Sequence, residues 1–333
     1  MSYKSEEGGL DRSIRTDREE CKGTLVSKHA SRCVVFACDE GYAMPLATAI
    51  RSVVETYQGS QPLEIYVLSD GFSEVGRRKI SHSILEYRAS IQWVPIDLTA
   101  FHRFSTLPYI SKMTYARLEI PNLLPHCISK ALYLDADLLV LDDIEKVLET
   151  DLDGEVLAAV VDGLDSQIKA SQRGLERQPR VRDYFNAGVL LIDLDRWREE
   201  RISERALQYL NENPCTYFMD QDALNAVCDG LWKKLDPRWN FQKCSQKSIA
   251  DSNELERPGI VHFVTDAKPW NAGIKNVNAT FYDSFRSRTC FARSFPDKMH
   301  DLVLGAWCDL KRVLKRYIVP QFKSRQGSSH QRT

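Results

Sequence analysis

No apolar run in this chain is long enough to cross a bilayer: the longest, Val156 to Val161, spans six residues, against the ~20 of a transmembrane helix. The first thirty residues are polar and charged and lack the apolar segment of a secretory leader. Neither sign of charge is in excess, with 45 Lys and Arg against 46 Asp and Glu, so no global field favours a nucleic-acid partner. The nine cysteines are scattered singly and form no Cys-x-x-Cys pair, which argues against a disulfide framework and against a zinc knuckle. Reduced thiols in a cytoplasmic protein, soluble or peripheral to a membrane, are the expectation. Internal repeats and low-complexity tracts are absent as well.

At 333 residues and 43% hydrophobic content, the chain can bury a full core as one large domain or as a domain with an extension. Residues 1–30 lack periodicity and read as a disordered tail. From Cys33 onward, short apolar runs alternate with helical patterns. Strands are expected at 33–37, 63–68, 91–95, 131–141, 156–161, 188–194 and 259–263. Helices are expected from Ala43, at 73–87, 113–124, 195–211 and 220–228. That alternation predicts an α/β fold with a mostly parallel sheet flanked by helices. Residues 163–182 carry many charges and little periodicity, as a lid or substrate loop does.

The strand pattern from Ala131 to Leu141 is interrupted by Asp135 and Asp137, and a period of two points both to one face. Two adjacent carboxylates in an apolar run repel each other and are costly to desolvate, and the run contains no Lys or Arg. A divalent metal carrying phosphates, placed at the carboxyl end of a strand, would compensate them. The other reading is a strand that ends early, with both residues as solvated turn aspartates.

Six blocks then follow in a fixed order: Phe36-Ala37-Cys38-Asp39; Met113-Thr114-Tyr115-Ala116-Arg117-Leu118; Leu132 to Asp137; Tyr184 to Leu191; Asp220-Gln221-Asp222; and His262 with Lys268-Pro269-Trp270. Over roughly residues 33–275 this resembles the retaining nucleotide-sugar glycosyltransferases of family 8, which include bacterial lipopolysaccharide galactosyl- and glucosyltransferases. The resemblance implies a GT-A fold at 31–285 and a hexose, galactose or glucose, moved from a UDP-sugar to a saccharide or glycolipid acceptor. It also implies that Asp135, Asp137 and His262 ligate a metal. Two carboxylates and one imidazole suit manganese, with magnesium as a possible substitute. By the same likeness Ala37, Asp39 and Tyr42 would hold the nucleotide, with Tyr42 stacked on the base. Lys268 would face the diphosphate, Arg117 the donor sugar or a phosphate, and Asp162 and Asn186 the sugar hydroxyls. Gln221 and Asp220 would lie under the anomeric carbon. An amide is a poor nucleophile, so front-side displacement is expected rather than a covalent intermediate.

Two positions depart from the family pattern: Gly41 stands where many bacterial members have Asn, and Thr265 where Gly is usual. Other functions compatible with the carboxylates are a metal-dependent phosphohydrolase and a catalytically idle sugar-nucleotide-binding protein. Residues 286–333 form an extension. Within it Leu302, Val303, Ala306, Trp307, Leu310, Val313, Leu314, Tyr317 and Ile318 fall at helical spacing, and no acidic residue follows Asp309. Such a basic amphipathic helix either lies on an anionic membrane, here the inner face of the cell membrane, or docks on the domain.

Overall fold

The computed structural model describes residues 32–314 except 105, 107–109, 164–179, 215, 243–247, 250–256, 272–275, 298, 301–302, 308–309 and 312–313. The expected tail at 1–30, most of the loop at 163–182 and everything after 314 lie outside the described residues. No described helix is long and apolar enough to cross a membrane.

Among the described residues, nine strands form two sheets: β1 (Cys33–Ala37), β2 (Leu63–Ser69), β3 (Ala89–Pro95), β4 (Lys130–Leu134), β5 (Leu138–Val140), β6 (Leu157–Val161), β7 (Phe185–Asp193), β8 (Trp232–Lys234) and β9 (Ile260–His262). The larger sheet has the order β3-β2-β1-β4-β7-β6-β8 and the smaller pairs β5 with β9. Pairings β1–β2, β2–β3, β1–β4 and β6–β8 are parallel. Those that β7 makes with β4 and β6 are antiparallel. The expected α/β architecture with a mostly parallel sheet is therefore present. From β1 the chain moves outward through β2 and β3, then returns to place β4 on the other side of β1. This reversal opens a crevice at the carboxyl ends of β1 and β4.

The strands read as unbroken apolar runs because both sheet faces are covered. Cys33, Val35 and Ala37 face one core, and Val34 and Phe36 face the other. Helix α1 (Ala43–Thr56) fills the second core with Leu46, Ile50 and Val53. Helix α2 is Glu74–Ser81, shorter than the expected 73–87, and Ser73 caps it by accepting from the Gly76 N–H at 3.0 Å. The expected helix at 195–211 is two helices, α3 (Leu194–Glu199) and α4 (Ile202–Glu212), because Arg201 between them is left-handed (φ 52°). With α5 (Asp220–Val227) they cover the first core. The segment expected as a helix at 113–124 is a 3₁₀ helix over Lys112–Glu119, followed by one α-turn with Pro121 in its start. Proline has no N–H for the preceding turn, so regular helix begins there rather than continuing through it. Helix α6 (Ala279–Arg286) closes a third, smaller core with Tyr282 against Leu139, Val261 and Phe263.

The run from Ala131 to Leu141 is not one strand. It leaves the large sheet after Leu134 and enters the small one at Leu138, with Asp135, Ala136 and Asp137 at the crossing. An ionised pair cannot sit in the middle of a doubly covered strand, so the ladder breaks where the carboxylates fall. Backbone bonds hold the crossing open: Asp135 N–H donates to Gly188 O (2.9 Å), and Asp137 O accepts from Phe263 N–H (3.0 Å).

Candidate active site

Every candidate residue named from the sequence lines one cleft at the crevice, including Ala37 at the end of β1, Asp39 and Tyr42 beyond it, and Asp162 after β6. Asp135, Asp137 and His262 each offer a ligand atom, all within 4.8 Å of one another. His262 Nε2 lies 3.1 Å from Asp137 Oδ1 and 3.6 Å from Asp135 Oδ2. The small sheet brings them together, because Leu138 pairs directly with His262. The donor set, hard oxygens with one imidazole, fits a divalent metal ion. The cradle around it fits too: Gly188 lies so close that a Cβ there would meet Asp135 Oδ2 at 2.7 Å and the His262 ring closer still.

Lys268 is placed at the same cluster. Its ammonium donates to Asp137 Oδ2 (2.5 Å) and to the carbonyl of Phe263. Burial works against ionised Asp137, yet Lys268 and His262 hold its carboxyl well below the usual range. Arg117 is 6% exposed and bridges the two halves of the site. It pairs with Asp135 at 3.1 Å and with Asp220 at 2.9 Å, donates to Ala187 O, and stacks its guanidinium 4.9 Å over Tyr133.

Asp220 also accepts from the Thr114 hydroxyl at 2.5 Å. Burial pushes its carboxyl up to about 6, against the pull of Arg117 and Thr114. The amide of Gln221 has a fixed orientation: its oxygen accepts from Ala187 N–H (2.9 Å), and its nitrogen donates to Asp162 (2.9 Å) and to Tyr184 OH (3.3 Å). Tyr184 in turn donates to Asp222 at 2.5 Å. Asp222 is fully buried and also accepts from Tyr217 and Phe218 N–H. The turn so clamped forces Met219, which opens α5 and precedes the pair, to φ 52° and ψ −119°, a region that residues other than glycine rarely enter.

At the end of the cleft beside β1, Asp39 accepts from the Ser111 hydroxyl at 2.5 Å, and Tyr42 meets Trp270 edge to face with centroids 6.2 Å apart. A Cβ at Gly41 would lie 3.0 Å from Asp39 Oδ1, a tight contact that a small shift of the carboxylate relieves. Sequence reading missed Ser111, Asn240, Gly188 and the positioning parts of Thr114, Tyr184 and Asp222. Thr114, Tyr184 and Asp222 stood inside blocks already singled out, and polar residues in apolar runs were the available signal. Asn240 and Ser111 had none.

A mostly parallel sheet with a carboxylate–imidazole cluster at its switch point is the architecture of the GT-A type glycosyltransferases that this fold matches. A solved structure, the galactosyltransferase LgtC in complex with donor and acceptor sugar analogues, is similar at 27% identity and a TM-score of 0.65, covering 77% of this chain and 95% of that one. The chain belongs to glycosyl transferase family 8, whose profile matches residues 33–273. General stress protein A of Bacillus subtilis is 30% identical over 273 residues, 77% of this chain and 93% of that protein. The lipopolysaccharide 1,2-glucosyltransferase of Escherichia coli is 26% identical, covering 74% of this chain and 75% of that one.

Proposed function

We propose that this protein transfers a hexose, galactose or glucose, from a UDP-sugar to a saccharide or lipopolysaccharide-type acceptor with retained α configuration. The observation that carries this is the meeting of Asp135, Asp137 and His262 in one cleft with the Asp220–Gln221 pair. A divalent ion held by those three residues, manganese with magnesium as a substitute, would act as a Lewis acid for the departing nucleotide diphosphate. Lys268 adds an ammonium on the same side, a common task for lysine toward phosphate. Asp39 and Tyr42, with Ala37 behind them, form the nucleotide end. Arg117, Asp162 and Asn186 form the sugar end.

The polar contacts favour front-side displacement. Asp220 is tied to Arg117 and Thr114, and Asp222 to three donors, so neither carboxylate is disposed to attack carbon. Gln221 presents an amide oxygen whose second lone pair can support oxocarbenium-like charge, with Asp220 adding negative potential beside it. The acceptor hydroxyl then attacks from the leaving-group side and passes its proton to a diphosphate oxygen.

The polypeptide beyond 286 is proposed to lie on the anionic inner face of the cell membrane, the protein itself being cytoplasmic. Phe295, Met299, Val303, Trp307, Leu310 and Leu314 are all exposed, and they follow one another by four, four, four, three and four positions. Such spacing is that of one face of a helix.

The deciding experiment measures UDP release from a panel of UDP-sugars with and without manganese, with and without saccharide acceptors. Manganese-dependent, acceptor-dependent release that Asp137→Asn abolishes is expected. Free sugar formed at the same rate without acceptor would point to a hydrolase, and no consumption of any UDP-sugar would sink the transferase.

A further inference from the structure

A line of side-chain amides runs from the sugar end of the cleft to the metal cluster, and its direction can be read from one backbone group. The N–H of Gly188 can only donate, and it donates to Asn186 at 3.0 Å, so the Asn186 atom there is the oxygen. That oxygen also faces the side chain of Asn240 at 2.9 Å, so the Asn240 atom must be its NH₂. The remaining Asn240 atom, its oxygen, lies 3.0 Å from His262 Nδ1. An acceptor there requires a hydrogen on Nδ1. The other ring nitrogen, Nε2, is the one turned toward Asp135 and Asp137.

We infer that Asn240 is the positioning residue of the metal site: it fixes the His262 ring with the proton on Nδ1 and the Nε2 lone pair toward the cation, and so sets how tightly a divalent ion is held. This rests on the metal reading given above. Asn240 is built for the part. It is 2% exposed and ends the 3₁₀ turn Pro237–Asn240, which Asp236 caps at 2.9 Å. The next residue, Phe241, is bonded through its backbone to both Ile260 and His262, so the turn travels with β9. With Nδ1 protonated, Nε2 at 3.1 Å from Asp137 Oδ1 either carries a second proton, giving a charged ring, or turns its lone pair to a cation that takes that proton's place. Outer-shell partners of ligating histidines act in this way generally: they choose the tautomer and aim the ring.

The test titrates manganese into the full-length wild type, Asn240→Leu and Asn240→Asp, following binding by calorimetry rather than turnover. Asn240→Leu, which keeps the volume but cannot accept, should bind manganese about 10- to 100-fold more weakly, and Asn240→Asp, which keeps an acceptor, should lose less. Wild-type binding with an unchanged Asn240→Leu overturns this inference and leaves the metal reading standing. Absence of manganese binding by the wild type overturns both. Should Asn240→Leu fail to fold, the nitrogen chemical shifts of His262 in the wild type decide: a hydrogen on Nδ1 supports the assignment, and a bare Nδ1 overturns it.

Discussion

Gly188 lies against the imidazole of His262 with no room for a single methyl group between them. The contact is made possible by β7 running beside the end of β4, where Gly188 O also accepts from Asp135 N–H. Gly188→Ala should displace the ring or the Asp135 carboxylate, since overpacking of this kind costs about 1–3 kcal/mol and is relieved by movement. Manganese affinity and transfer should both fall at least about tenfold, while the circular dichroism spectrum is retained. Calorimetric titration of the variant checks this, and wild-type affinity would refute it.

Asp220 sets a pH limb. Its carboxyl titrates at about 6 instead of 3.8 because it is buried, and protonation would remove its ion pair with Arg117. Turnover should rise as pH climbs through about 6, and Asp220→Asn should flatten that limb while costing about 100-fold or more in kcat. Stability runs in the opposite sense. A carboxyl whose pKa is raised by folding binds a proton on folding, so its contribution is fullest below 3.8 and shrinks as pH rises to about 6. Rate profiles and thermal unfolding of both proteins over this range separate the two trends.

Met219 carries backbone strain immediately before Asp220 and Gln221. Met219→Ala and Met219→Gly both remove the buried side chain, but only alanine keeps the Cβ that makes φ 52° costly. The glycine variant should therefore be the more stable of the two, by about 1–3 kcal/mol, and the slower enzyme, because its turn no longer aims the pair. Denaturant unfolding and kcat of the two variants side by side are the measurement. An alanine variant as stable as the glycine variant would show that no strain is stored.

Truncation after residue 300 should abolish co-sedimentation with vesicles containing anionic lipid while leaving transfer to a soluble acceptor intact. Each Lys or Arg near such a surface contributes ~1 kcal/mol, so a loss of at least about 100-fold is expected. The wild-type binding should weaken steeply with salt. Retained binding would place the exposed stripe elsewhere, for instance against another protein.

Much of the fold was legible because strands covered on both faces, parallel or not, leave continuous apolar runs, as at Val34 to Phe36 and Leu190 to Ile192. The paired carboxylates of the cleft were legible for the converse reason: Asp135 and Asp137 break such a run. Periodicity could not show that 131–141 serves two sheets, since the apolar pattern is the same on either side of the break. The helix at 195–211 hid a left-handed Arg201, which no local pattern marks. Asn240 and Gly188 were beyond reach for a plainer cause. One is an ordinary polar residue near a tryptophan, the other has no side chain, and each matters only through a neighbour brought up by tertiary pairing.

The three-residue ladder of β5 and β9 joins Asp137 and His262, 125 residues apart. Contacts that distant are slow to close, and a slip of one position would rotate the imidazole to the opposite side of the ribbon. The amino-terminal half alone would lack one member of the proposed metal site, His262. Uptake of manganese during refolding should thus report the docking of β9 on β5, a signal that two distant stretches of the chain have met.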